Sequence, residues 1–161
     1  MKFLFTFLFT ISLLNSSINF NEKQIYKIKE IIKVCKQHKI KDTSLYLAIA
    51  YVESEFNPNC KYKDSYGMFQ NRIISVKARE KLNSSQIKLK LKDTQFSLNQ
   101  CKKELEYWKA RRKSITSILA GYNNGYNKSS KGYNYARKVL YNKKLIESYL
   151  KKGLVMKKKK C

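Results

Sequence analysis

Among the 11 acidic residues of this chain, Glu53 stands where a carboxylate is least expected. Leu45, Ala48, Ile49 and Val52 share one helical face, and Glu53, four residues after Ile49, continues it at its C-terminal end. A carboxylate on an apolar face loses hydration, and the negative end of the helix dipole also opposes its ionisation. Both effects raise its pKa. Lifting a glutamate from about 4.3 to near 6 takes roughly 2 kcal/mol, which burial alone can supply. A carboxylic acid neutral near pH 7 is what protonation of a poor leaving group such as a glycosidic oxygen requires. By position alone, a buried glutamate tied to one of the many lysines fits as well. Glu55 lies about 200° around the helix and reads as a solvated surface acid.

Other reactive side chains are sparse. Cys35, Cys60, Cys101 and Cys161 contain no Cys-x-x-Cys pair, no His/Asp/Glu cluster has ligand spacing, and no glycine-rich loop could cradle a phosphate. No metal and no cofactor is expected. The lone His38 receives no role. Lys2, the apolar run Phe3 to Leu14 and Asn15-Ser16-Ser17 follow the order of a secretory signal. As a helix that run would span about 18 Å, short of the roughly 30 Å hydrocarbon core, so residues 1–17 read as a cleaved signal peptide. In an oxidising compartment the four cysteines read as disulfide formers, with three pairings open.

Four elements must position Glu53. Ile25, Ile28, Ile32 and Cys35 form one stripe, predicting a helix over roughly 22–38. Asp42, Thr43 and Ser44 are cap-forming residues before the helix that carries Glu53. Leu98, Cys101, Leu105 and Trp108 make a third stripe. Ile115, Ile118, Leu119 and Tyr122 make a fourth, stopping at Asn124-Gly125 and turning Tyr122 inward, where its phenol needs a partner. Contact with Glu53 is the expectation. One domain, residues 18–152, accommodates all of this, followed by a basic tail, 153–161, with Lys157 to Lys160 read as solvated and disordered.

The formal charge of +24 makes the surface seek polyanions. The charge is spread along the chain and nearly all lysine, which lacks the planar fork suited to reading base edges, so specific nucleic-acid binding is not expected.

The segment Ala48-Ile49-Ala50-Tyr51-Val52-Glu53-Ser54-Glu55-Phe56-Asn57-Pro58-Asn59 resembles the catalytic helix and following turn of soluble lytic transglycosylases. Tyr66-Gly67-Met68-Phe69-Gln70 is similar to that family's Gly-Leu-Met-Gln segment, and Leu119-Ala120-Gly121-Tyr122-Asn123-Asn124-Gly125 to its Ala-Tyr-Asn-Ala-Gly segment. Tyr135-Ala136-Arg137-Lys138-Val139 resembles its closing Tyr-x-x-Lys-Val. The chain departs from the pattern at Glu55, where a small residue is common, and at Gly121 and Asn124, where alanine is usual. Pro58 to Gln70 is also slightly compressed.

The resemblance implies a mainly α, lysozyme-like bundle of about six short helices, with a small hairpin between Lys61 and Gln70 and a groove for the glycan strands of peptidoglycan. It implies Glu53 as acid and then base, Ser54 beside it, Gln70 lining the groove, and Tyr122, Asn123 and Tyr135 completing the wall. Lysozymes of the same broad fold place a second carboxylate where this chain has Ser65. Asp64 is adjacent, but neighbours in an extended segment face opposite ways, and a turn role fits it better. With one acid, the expected reaction is the family's intramolecular one, giving 1,6-anhydro ends, and hydrolysis of muramidase type is the alternative. From another class, a non-enzymatic basic wall-binding or antimicrobial protein remains open. A secreted branch linked to conjugation and secretion machines carries a cysteine pair that Cys35 and Cys101 resemble, implying a bridge worth roughly 4 kcal/mol. Expected partners are the glycan, anionic wall polymers and such a machine, for a monomer that is secreted, periplasmic or wall-associated.

Overall fold

Asn21 opens the first helix by a reciprocal cap: its side chain accepts from the Gln24 amide, and the Gln24 side chain accepts from the Asn21 amide. The computed structural model describes residues 18–127 and 129–158, so the expected signal segment, residues 1–17, and Cys161 lie outside the described residues. Helix α1 runs Glu22–Gln37, and α2, capped by the Asp42 carboxylate on the Leu45 amide, runs Thr43–Ser54. Strands β1 (Lys61–Tyr62), β2 (Ser65–Tyr66) and β3 (Asn71–Arg72) follow. Then come α3 (Ile73–Lys77), α4 (Ser84–Lys90), α5 (Thr94–Lys109), α6 (Ile115–Asn124) and α7 (Ser130–Lys158). Helix α7 continues past residue 152, where the domain was expected to end.

The architecture is mainly α with one small sheet. Among the described residues seven helices stand where about six were expected, because α3 and α4 are short helices built on their own satellite core. The expected hairpin is a three-stranded antiparallel sheet in the order β1-β2-β3, its third strand lying just beyond Gln70.

Helix α2 is the centre. Its residues from Leu45 to Ala50 are buried without a break, so it is covered on all sides rather than along one stripe. Helices α1 and α7 pack directly on it, α5 packs on α1, and α6 fills the angle between α5 and α7. The expected stripes face this core: Ile28 and Cys35 from α1, Leu98, Cys101, Leu105 and Trp108 from α5, and Ile118 and Leu119 from α6. Ile115, at the start of its stripe, is instead exposed. Val76, Ile87 and Leu91 form a second cluster that braces Tyr66 of β2 from below.

Cys35, Cys60 and Cys101 are free thiols. The Cys35–Cys101 bridge is therefore not formed in this structure, although both residues are fully buried in one core. Each thiol has its own polar neighbour, Thr43 for Cys35 and Tyr122 for Cys101, and burial pushes both thiol pKa values upward.

The packing explains one departure from the family pattern. A Cβ at position 121 would lie 2.5 Å from the Trp108 ring, so a residue wider than glycine cannot occupy this turn of α6 without moving that ring. In a free helix Gly→Ala would stabilise by up to about 1 kcal/mol. Here overpacking, typically 1–3 kcal/mol, wins. Gly121→Ala is expected to lower stability by about 1–2 kcal/mol in urea unfolding, and Trp108→Leu should recover part of that loss in a double-mutant cycle. Purely additive effects would show that the two side chains do not meet.

Candidate active site

Helix α2 ends abruptly. Glu55 and Phe56 adopt consecutive left-handed conformations, with φ of 53° and 67°, and their amides fold back onto the Tyr51 and Ala50 carbonyls. Neither is glycine, so each conformation costs on the order of 1 kcal/mol. Phe56 recovers this by burial, 2 % exposed, edge-on to Phe20 and packed on Tyr51. The stop leaves Glu53 in the last turn of α2, partly buried. Burial raises the Glu53 pKa to about 7, and the nearby Tyr135 phenol and Lys138 ammonium only partly oppose that shift.

The segment after β2 supplies the floor. Gly67 has φ 79°, and a Cβ there would fall 2.2 Å from the Leu91 carbonyl oxygen, so glycine is required for both reasons. Met68 and Phe69 are buried behind it. Their carbonyls point back to the site: Ser54 Oγ donates to Met68 O at 2.8 Å, and Tyr122 Oη donates to Phe69 O at 2.7 Å. Gln70, also left-handed at φ 47°, donates its side-chain amide to the Cys60 and Gly67 carbonyls at 3.0 and 2.9 Å. That amide closes the loop from residues 60 to 70.

Glu53, Ser54, Tyr122 and Tyr135 are thus gathered around one end of α2, with Gln70 holding the floor's far end. Asn123, one position on from Tyr122, is exposed. The contact expected between Tyr122 and Glu53 is corrected in detail: the Tyr122 donor goes to Phe69, and the phenol set against the carboxyl belongs to Tyr135. The two rings stack, 6.4 Å apart and 12° from parallel, so Tyr122 holds the ring that faces the acid. Burial, foremost, pushes both phenols well above their usual range. The Tyr135 hydroxyl is buried without an aligned hydrogen bond, although it lies close enough to Glu53 to affect its ionisation. With no partner for its hydrogen, this hydroxyl has a donor to give.

Lys138 is the site residue that sequence reasoning passed over. It lies three residues after Tyr135 on α7, hence on the same helical face, and that spacing was the available clue. Asp64 sits in the turn between β1 and β2, exposed and paired with Arg72 at 3.3 Å, in keeping with a turn role. Glu55 is exposed as expected. Among the described residues, no group of His, Cys, Asp or Glu side chains could hold a metal ion.

A helical scaffold around a central buried helix, ending in a partly buried acid beside a small sheet, defines a lysozyme-like protein. The family model of the transglycosylase SLT domain matches residues 30–145, and the chain belongs to that family. Its members are peptidoglycan lytic transglycosylases acting in the periplasm or cell wall, so peptidoglycan is the substrate and the protein is an enzyme of that class. No curated protein and no solved structure matches the chain significantly. No described helix is long and apolar enough to cross a membrane.

The raised Glu53 pKa has a consequence for stability. The fold prefers the protonated carboxyl, so the wild type loses stability as pH rises from about 4.5 to about 7, with no further change above. Glu53→Gln has no such loss. It should be more stable than the wild type at pH 8 by about 1–2 kcal/mol, discounted for partial exposure, and equal to it at pH 4. Thermal unfolding at the two pH values checks this, and an unchanged difference would mean that the carboxyl is well hydrated.

Proposed function

We propose that Glu53 is the catalytic acid and base of a lytic transglycosylase that cleaves the MurNAc–GlcNAc β-1,4 bond and leaves 1,6-anhydro-MurNAc ends. The observation that carries this reading is a half-buried carboxyl held protonated up to about pH 7, next to an unsatisfied phenol and with no second carboxylate beside it among the described residues.

In the first step Glu53 donates its proton to the glycosidic oxygen as the bond from the MurNAc C1 breaks. In the second, the Glu53 carboxylate takes the proton from the same sugar's C6 hydroxyl, whose oxygen closes on C1. The acid is regenerated and no water is consumed. An intramolecular nucleophile needs no binding from solution, which favours this path wherever water is kept from C1. Lys138 and the Tyr135 hydroxyl favour the carboxylate that exists between the two steps. Ser54, Gln70, Tyr122, Asn123 and Tyr135 form the groove wall, with Gln70 and Ser54 acting through the floor they hold and Asn123 open to the sugar. Asp64 lies in the turn between β1 and β2, exposed and paired with Arg72, which fits a turn residue.

Fragments released from purified peptidoglycan should carry anhydro ends by mass spectrometry, with release falling at least about 1000-fold in Glu53→Gln. Reducing ends would replace this reading with hydrolysis.

The apolar leader, and the burial of Cys35 and Cys101 in one core, support a second proposal, that the protein is exported and these two free thiols are joined on oxidation. Alkylation of the exported protein, denatured without reductant, should then leave both unlabelled. Labelling of both would show that the pair stays reduced.

A further inference from the structure

The end of α5 and the loop to α6 carry Lys109-Ala110-Arg111-Arg112-Lys113, a run of cations broken only by one alanine. Among the described residues none of these cations is in an ion pair, and Glu104 and Glu106 on the same helix pair with Arg79 and Lys102 instead. Aromatic rings hold the two arginines. The Arg111 guanidinium lies 3.6 Å from the Tyr107 ring centre and donates to the Tyr107 carbonyl at 3.0 Å. The Arg112 guanidinium lies 5.2 Å from the Trp108 ring centre and donates to the Gly125 carbonyl at 3.0 Å. Each keeps its charge and has N–H groups to spare. Tyr126 completes the cluster: its ring packs on Trp108 at 5.0 Å and its hydroxyl meets that of Tyr107 at 2.6 Å, yet it is 67 % exposed. Ile115, two residues beyond Lys113, is 43 % exposed.

Cations without counter-charges, beside an exposed phenol and an exposed isoleucine, make an amphipathic surface. In water the cations repel one another and the apolar parts gain nothing. A membrane interface answers both needs, because lipid phosphates accept from guanidinium and ammonium groups while a tyrosine ring sits at headgroup level with its hydroxyl wet. A hydrophilic phosphodiester chain would meet the cations and leave Ile115 and the Tyr126 ring in water. The cluster also leaves the Glu53 site clear. Gly121 faces Trp108, whereas Tyr122, the next residue, turns to Phe69 and Tyr135, so α6 stands between the two.

We infer that the α5–α6 loop together with Tyr126 is a docking surface for an anionic phospholipid membrane, on which the enzyme rests with its Glu53 site free. The inference goes beyond the chemistry of Glu53 and does not depend on it.

Trp108 is the chain's one tryptophan and lies against Arg112 and Tyr126, so its fluorescence reads this surface directly. The test uses the full chain, which keeps the apolar leader the same in every sample. On vesicles of phosphatidylcholine with about one-third phosphatidylglycerol, at low salt, bromine-labelled acyl chains should quench Trp108, and on phosphatidylcholine alone they should not. Arg111→Gln with Lys113→Gln should weaken vesicle binding at least about tenfold, and Tyr126→Ser about threefold. The milder pair Lys109→Gln with Lys113→Gln leaves both arginines on their rings and should weaken binding too, with circular dichroism confirming that each variant is folded. Lys29→Gln with Lys33→Gln removes the same charge from exposed positions of α1 and should change binding less than about twofold. An equal loss in that control pair would make the attraction diffuse. Equal quenching on both lipids, or binding without quenching, would put the leader or another face on the membrane. A soluble glycerol-phosphate polymer that shifts Trp108 emission where anionic vesicles do not would assign the surface to wall polymers. Each of these results overturns the inference.

Discussion

The left-handed turn at Glu55 and Phe56 sets the ionisation of Glu53, and the rest of the site is arranged around that carboxyl. If α2 continued for another turn, the carboxyl would lie along the helix wall. If it stopped a turn earlier, the carboxyl would lie in a solvated loop. Stopping where it does places the acid in the last turn of α2, at the edge of the core, where burial desolvates it. The two strained residues are retained because Phe56 closes the core beneath the stop. Burial of one phenylalanine, roughly 2 kcal/mol, is of the same size as the strain of two left-handed residues.

The polar side of the site follows from that placement. An acid at the edge of a core needs neighbours that tolerate both of its charge states. Tyrosine hydroxyls do so, because each can give or take a hydrogen bond and stays neutral throughout. Burial pushes the Tyr122 and Tyr135 phenols upward, so neither competes with Glu53 for ionisation. The Ser54 and Tyr122 hydroxyls are occupied by main-chain carbonyls of Met68 and Phe69, which makes the floor rigid. The Tyr135 hydroxyl alone lacks an aligned partner, and in a buried place that costs about 1–3 kcal/mol unless a ligand supplies one.

Much of this was legible before any coordinates. The periodicities placed α1, α2, α5 and α6, since buried stripes at 3.6-residue spacing survive in any helical bundle. The position of Glu53 at the end of the α2 stripe needed only residue counting. The identity of the phenol at Glu53 was not legible: Tyr122 and Tyr135 both point inward, and their order depends on how α6 crosses α7. The third strand was missed because β3 is two residues long and carries no alternating pattern. The glycine at 121 could be noticed in the sequence as a departure but not explained, because Trp108 meets it only in three dimensions.

The overall charge poses a question that the site answers. A formal charge of +24 should depress every carboxylate, yet the Glu53 pKa moves up. The reason is range. A lysine 10 Å away through water acts on a carboxylate with about 0.4 kcal/mol before screening, and salt at physiological strength removes most of that. Loss of hydration acts on the carboxyl itself, is unscreened, and reaches several kcal/mol for a buried group. Local burial therefore outweighs the distant cations, and only a close one such as Lys138 offsets it in part. The same reasoning divides the labour of the molecule: the diffuse positive surface can gather an anionic polymer without disturbing the proton on Glu53, provided that the acid stays against the core.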